Sequence, residues 1–348
     1  MVSAVAQAPL AGHVRNHVAD LGVMSAVATA SWALHRCDPP WPLPTQTLVL
    51  GALVGHALAR FESLRAWRPG AEVPLTVGMV LLGTQVDGGA VLAVGWFGLL
   101  LVVGHPLFAG AIVGAALRRV GVAPPTASLV ALGLGGSGLP AVVAAQTGEA
   151  RPDDDGRALA VTATLVVGAL GFVLLPWCAD RLAFDAAARA RWIGVAMPTT
   201  ADAVLLGAAH SPAALRATAA LRFLVTLMLW LPVLLHLRRF GAPTPDASTA
   251  TRRRHAVAAA LARVPGFVFG LALLAALTMA GGLDDDERRA LARLANWAFL
   301  LALAGIGMGL RAPALRRAGL RRLLAAVAGW LLAAAALALA QCAAKAAG

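Results

Sequence analysis

Apolar residues fill this chain in long continuous blocks, separated by short connections rich in Arg, Gly and Pro. Blocks of roughly 17–27 residues match the ~30 Å of hydrocarbon that a helix must cross in a bilayer. They do not alternate polar with apolar, which argues against a transmembrane β-barrel. The pattern predicts spans over residues 18–35, 43–59, 73–87, 91–117, 124–146, 157–178, 191–209, 214–237, 264–281, 291–310 and 318–342. The expected fold is therefore an all-α polytopic membrane protein of ten or eleven transmembrane helices. It forms one integral membrane domain over residues 1–348, with a polar tail at 1–17 and a long Pro- and Thr-rich loop at 239–262.

Composition agrees. The chain is 59% hydrophobic and only 13% charged, well below the quarter or so of charged residues in an average soluble protein. Its net charge of +12 would fit nucleic acid binding, but the arginines sit in loops between apolar runs, where they set topology. Counting loops alternately, Arg36, Arg151, Arg157, Arg216, Arg288, Arg289, Arg293 and Lys345 fall on one side. The much larger remainder, with clusters at 60–68, 118–119, 181–191, 238–263 and 311–322, falls on the side of the N-terminus. The excess places the N-terminus in the cytoplasm and the C-terminus outside, and no nucleic acid partner is expected. The N-terminal stretch does not read as a signal peptide. Cys37, Cys178 and Cys342 lack metal or redox spacing and are assigned to packing.

One block contains residues that oppose helix. In "LGLGGSGLPA", Leu132 to Ala141, Gly133, Gly135, Gly136 and Gly138 precede Pro140; each glycine costs about 1 kcal/mol in a helix and proline about 3 kcal/mol. A similar glycine pair, Gly305 and Gly307, lies 172 residues on in "AGIGMGLRAPA". The two segments are five predicted spans apart, so they cross the membrane in opposite directions. That arithmetic predicts two inverted five-helix repeats with discontinuous helices near the bilayer centre. Close helix packing through small residues is the competing explanation for each glycine cluster.

A third interruption is "VAMPTTADAVLLGAA", Val195 to Ala209, where Pro198, Thr199, Thr200 and Asp202 break an apolar run. An ionisable residue inside a span marks a functional site by default. Asp202 can bind a coupling cation, carry a proton, pair with Arg222 on the next span, or cap a helix. Arg222 can supply counter-charge to an anion or snorkel from a span end. His56 and His105 are assigned to core or interface positions, His105 at a kink before Pro106.

These segments, in this order and spacing, resemble the YeiH-type family of proposed sulfate exporters over roughly residues 45–342. The resemblance is carried by "PLTVGMVLLGTQVD", the Gly-rich segment, "WIGVAMPTTADAVLLGAA" and "LANWAFLLALAGIGMGLRAPALRRAGLRRLL". It implies a carrier in the bacterial inner membrane with the inverted-repeat fold of the cation–proton antiporter and anion transporter group, and sulfate or a related sulfur oxyanion as substrate. Ser137 and Pro140 stand where the family has Cys and Ser, Thr199 and Thr200 where it has His-Asp, and the family's basic pair is reduced here to Arg222.

The expectation is a secondary transporter and not an enzyme. It exports or exchanges a small inorganic or sulfur-containing oxyanion, coupled to protons or sodium, with no cofactor and no metal. The substrate would be held by Gly135, Gly136, Ser137, Gly138, Thr199, Thr200, Arg222, Gly307 and Gly309, with Asp202 as the coupling residue. A homodimer is an open alternative, as are a carrier of another organic anion, an intramembrane enzyme and a channel. The acidic runs at 153–155 and 284–287 are read as solvated turns and helix starts.

Overall fold

The computed structural model describes residues 10–37, 43–61, 70–138, 142, 154–228, 230–240, 266–310, 316 and 318–347. Every regular element among them is helical. In chain order these are α1 (Leu10–His35), α2 (Leu43–Leu58), α3 (Glu72–Leu81, continued by a 3-10 turn Leu82–Gln85), α4 (Gly88–Ala93), α5 (Gly95–Arg119), α6 (Pro124–Leu132) and α7 (Asp154–Arg181). Then come α8 (Ala186–Ala196), α9 (Thr200–His210), α10 (Pro212–Leu227), α11 (Trp230–Phe240), α12 (Gly266–Met279), α13 (Asp285–Gly309) and α14 (Leu320–Ala347).

Five stretches are long and apolar enough to cross a membrane: α5, α7, the α10–α11 pair, α13 and α14. Helices α2, α3 and α12 are shorter apolar helices. Large apolar side chains point outward along them, Trp96 of α5 at 76% and Leu273 of α12 at 71% exposure among the most open. So much outward apolar surface is stable only against lipid. Tryptophans near helix ends carry arginines over their rings, Arg36 over Trp32 and Arg181 over Trp177, as expected where a bilayer meets water.

Local signals explain several ends. Asp284 caps α13 and Glu287 closes a capping box on it, satisfying backbone donors that the helix cannot. The acidic run at 284–287 is thus a helix start, as its pattern predicts. Asp87 caps α4, so "QVDGG" is the turn between the predicted third and fourth spans. Ser211 caps α10 and ends α9, folding these two helices into a tight hairpin.

The helices form two packed groups. In one, α1, α2 and α3 pack with α12 and α13. In the other, α14 lies on α5, and α6, α7, α8, α9 and α10 pack around them. Trp192 Nε1 donates to Ala334 O, and Gln341 Nε2 to Ala188 O, tying α8 along α14. The two groups meet where α2 and α3 touch α9 and where the 3-10 turn after α3 touches α10.

The second glycine cluster does not form the expected break. Helix α13 runs uninterrupted through Gly305 and Gly307 to Gly309. A methyl at Gly51 would meet Ala304 O at 2.6 Å, one at Gly55 would collide with the Met308 backbone, and one at Gly307 with Leu48 O. Glycine at these positions lets α2 and α13 touch backbone to backbone, the packing role of small residues in membranes. The match across 172 residues therefore pairs a broken segment with a continuous helix.

Candidate functional site

The first interruption is where the glycines of the fifth span predict it. Helix α6 ends at Leu132 and widens into a five-residue π-helical turn, Gly133–Ser137. Gly138 then takes φ 63° and ψ −159°, a region open essentially to glycine alone. Gly133 and Gly135 allow this turn to sit tightly. A methyl on Gly133 would run into the Thr164 hydroxyl of α7, and one on Gly135 would lie 2.9 Å from Pro106 O of α5. Gly136 and Ser137 belong to the π turn; the Ser137 side chain lies outside the described residues.

The second interruption separates α8 from α9. Met197 (φ −65°, ψ 136°) and Thr199 (φ −113°, ψ 151°) are extended, because Pro198 has no N–H to continue the helix and disfavours helical geometry in the residue before it. The two interruptions touch. A methyl on Gly138 would lie 3.1 Å from Pro198 O and 3.4 Å from Thr199 Cα. One unwound strand of backbone thus rests on another in a packed interior.

Unwinding leaves orphan backbone groups, and buried ones must find partners. At the end of α8, Met197 N donates to Ile193 O and Trp330 Nε1 donates to Ala196 O at 2.8 Å. Arg222 on α10 supplies the rest. Its Nη1 donates to Gly194 O at 3.3 Å and to Met197 O at 3.1 Å. Nε and Nη2 donate to Thr200 Oγ1 at 3.3 and 2.9 Å. A single fully buried guanidinium thereby clamps the C-terminal end of α8, the first residue of α9 and its own helix. Its positive charge also faces the negative end of the α8 dipole. At the start of α9, Thr199 Oγ1 accepts from Asp202 N at 3.2 Å, an N-cap.

Asp202 is 4% exposed and Arg222 1%, and their charges act on each other. Gly168 on α7 makes room for the carboxylate; a methyl there would lie 2.6 Å from Asp202 Oδ2. The structure therefore brings together Gly138, Thr199, Thr200, Asp202 and Arg222, which the sequence singles out from three separate spans. Gly135 sits one turn away on Pro106. Gly307 instead packs on α2, and Gly309 ends α13 with open space beside its Cα. Asp202 is a buried ionisable group in the first turn of α9; the alternative that it caps a helix near a membrane surface does not hold, because the cap is Thr199.

Sequence reasoning missed three contributors. Trp330 and Gly168 carry no local signal, because their roles come from distant helices. Gln85 is buried, and neither side-chain amide atom has a hydrogen-bond partner among the described residues. It lies in the 3-10 turn that packs on the helix carrying Arg222, and a Gln inside an apolar run is a readable signal. His105 Nε2 is likewise buried without a partner and lies within the field of Arg222. Buried unpaired polar groups cost about 1–3 kcal/mol each, so a polar ligand that reaches either side chain has a partner to gain.

Comparison with known proteins supplies the context. The family model described as "Conserved hypothetical protein 698" matches residues 20–326. A UPF0324 membrane protein of Pseudomonas aeruginosa is 29% identical over 328 residues, covering 89% of this chain and 88% of that protein. A UPF0324 membrane protein of Nitratidesulfovibrio vulgaris is 27% identical over 285 residues, covering 80% and 78%. No solved structure matches the chain.

Proposed function

The chain belongs to the conserved hypothetical protein 698 family of membrane proteins, and from that premise we propose that it is a secondary carrier that moves a small oxyanion through the crossing of its two interrupted helices. The observation that carries this reading is the contact of Gly138 with Pro198 and Thr199 beside buried Asp202 and Arg222. Unwound backbone deep in a membrane protein is tolerated where it lines a cavity or is buried in protein, and carriers use such segments as binding sites.

The chemistry fits an anion such as sulfate, the substrate class that the YeiH-type resemblance implies. A dianion needs several donors to replace its water. The N-terminal end of α9 at Thr199 and Thr200 offers such donors, whereas the Gly138 N–H of the π turn is already given to Gly133 O, so Gly135, Gly136, Ser137 and Gly138 would shape the site by close approach of backbone. Arg222 contributes positive charge while holding the break open, and the unpaired amide of Gln85 offers a further donor. Asp202 would repel the anion while ionised. Occupancy of its carboxylate by a proton or sodium ion removes that repulsion, which couples the two solutes.

A thermal-shift screen of the purified protein against sulfate, sulfite, thiosulfate, taurine and simple carboxylates tests the reading. An oxyanion should raise the melting temperature of the wild type, with a larger rise at lower pH or higher sodium. The rise should weaken in Ser137→Ala by about 1 kcal/mol of binding, the net value of one hydrogen bond. Stabilisation by none of the oxyanions and by one carboxylate would move the substrate to organic anions. Stabilisation by neither class would remove the anion-carrier reading.

A further inference from the structure

We propose that the cavity between α5, α6 and α11 is a binding site for an anionic phospholipid. The cavity measures about 290 Å³ and is separate from the Asp202 and Arg222 cluster, although its inner end reaches Gly135. Arg118 and Arg239 line one end of it. They close the last turns of α5 and α11 beside Arg119 and Arg238, so two helix C-termini bring their basic ends to one mouth. Both guanidinium-bearing residues are exposed, and neither joins an ion pair among the described residues. Arg118 Nη1 folds back over Gly114, where a methyl would lie 3.2 Å from it, and Arg239 lies 5.5 Å from the Phe240 ring centre. Ser128 bridges to His236 at 2.9 Å on the wall between α6 and α11.

Away from this basic mouth the walls are apolar. Pro106, Leu107, Leu132, Pro232 and Leu235 line them, and Leu107 and Leu235 are 39% and 45% exposed. They continue into the outward apolar surface of α5 at Phe108. A small hydrated anion entering this part would lose its water against carbon. A phosphodiester headgroup at the two arginines with an acyl chain along Leu107 and Leu235 satisfies both halves. Basic pockets between helices at a membrane surface have this chemistry. The inner end of the cavity abuts Gly135, one turn before the crossing, so an occupying lipid would brace the π turn from its outer side.

The test uses the full-length protein in a neutral detergent. Native mass spectrometry and thermal shift are recorded with phosphatidylglycerol, with phosphatidylcholine and with inorganic phosphate or sulfate. Phosphatidylglycerol should bind and stabilise more than phosphatidylcholine. The double variant R118A/R239A should bind it about thirtyfold more weakly, roughly fivefold for each basic residue near a surface, while R118K/R239K should retain most of it. Both arginines are exposed, so the lipid-free melting temperature of each variant should match the wild type. Equal binding of the two lipids, or undiminished binding to R118A/R239A, would overturn the proposal. So would inorganic phosphate or sulfate reproducing the shift in an arginine-dependent way, which would make the cavity an entrance for soluble anions.

Discussion

Replacing Arg222 by Met is the sharpest probe of how the interruption is built. Arg222 gives its donors to Gly194 O, Met197 O and Thr200 Oγ1, all in a fully buried setting. A hydrogen bond from a charged donor contributes about 1.5–3 kcal/mol net. Met conserves the apolar stem but leaves the Gly194 and Met197 carbonyls without this donor and removes the positive charge near Asp202. Arg222→Met should therefore lose about 3–5 kcal/mol from the buried carbonyls it leaves unsatisfied, on the order of 4–7 °C in apparent melting temperature for a chain of this size. Arg222→Lys keeps the charge but not the fork, and should fall between. Adding Asp202→Asn to Arg222→Met should restore part of the loss, since it removes the buried negative charge that the Arg222 charge opposes. The assay is thermal denaturation in detergent without added anion, at one fixed scan rate because such unfolding is irreversible. If Arg222→Met melts like the wild type and only anion affinity falls, Arg222 is a ligand and not a clamp, and the account of the break is wrong.

Gly138→Ala imposes a side chain at φ 63° and 3.1 Å from Pro198 O; it should abolish transport while leaving most helix content, which circular dichroism alongside flux would show. Gly51→Ala and Gly55→Ala should each destabilise by about 1–3 kcal/mol through overpacking between α2 and α13, read as a lower melting temperature with no change in anion affinity per folded molecule. Asp202→Asn should keep anion binding but lose its dependence on pH and sodium. The sign follows from the repulsion argument: the wild type binds better as protons or sodium rise, and the variant binds equally at all values. A variant with wild-type ion dependence would make Asp202 purely structural.

How far the fold was legible depended on which physical signal each residue carries. The long stretches α5, α7, α10–α11, α13 and α14 follow from block length, and the capped starts at Asp284 and Asp87 from residue type, so these were readable. The break at Met197–Thr199 was readable as well, because Pro198 and Asp202 are both out of place in an uninterrupted apolar helix. The glycines were not equally readable. Gly138 and Gly307 look alike in sequence, yet one supplies a positive φ and the other a missing side chain. The distinguishing signal was elsewhere: Gly51 and Gly55, four residues apart on α2, are the complementary surface on which Ala304, Gly307 and Met308 of α13 pack. The clamp formed by Arg222 and Trp330 was beyond sequence reasoning, since it depends on which helices meet at the end of α8.

Counterflow tests the central claim most directly. Proteoliposomes loaded with unlabelled sulfate and diluted into trace labelled sulfate should transiently accumulate label above its equilibrium level, and Gly138→Ala proteoliposomes should not. Label that enters only to equilibrium, with no overshoot, would indicate a channel. Overshoot that persists undiminished in Gly138→Ala would contradict a carrier working through the crossing of its two interrupted helices.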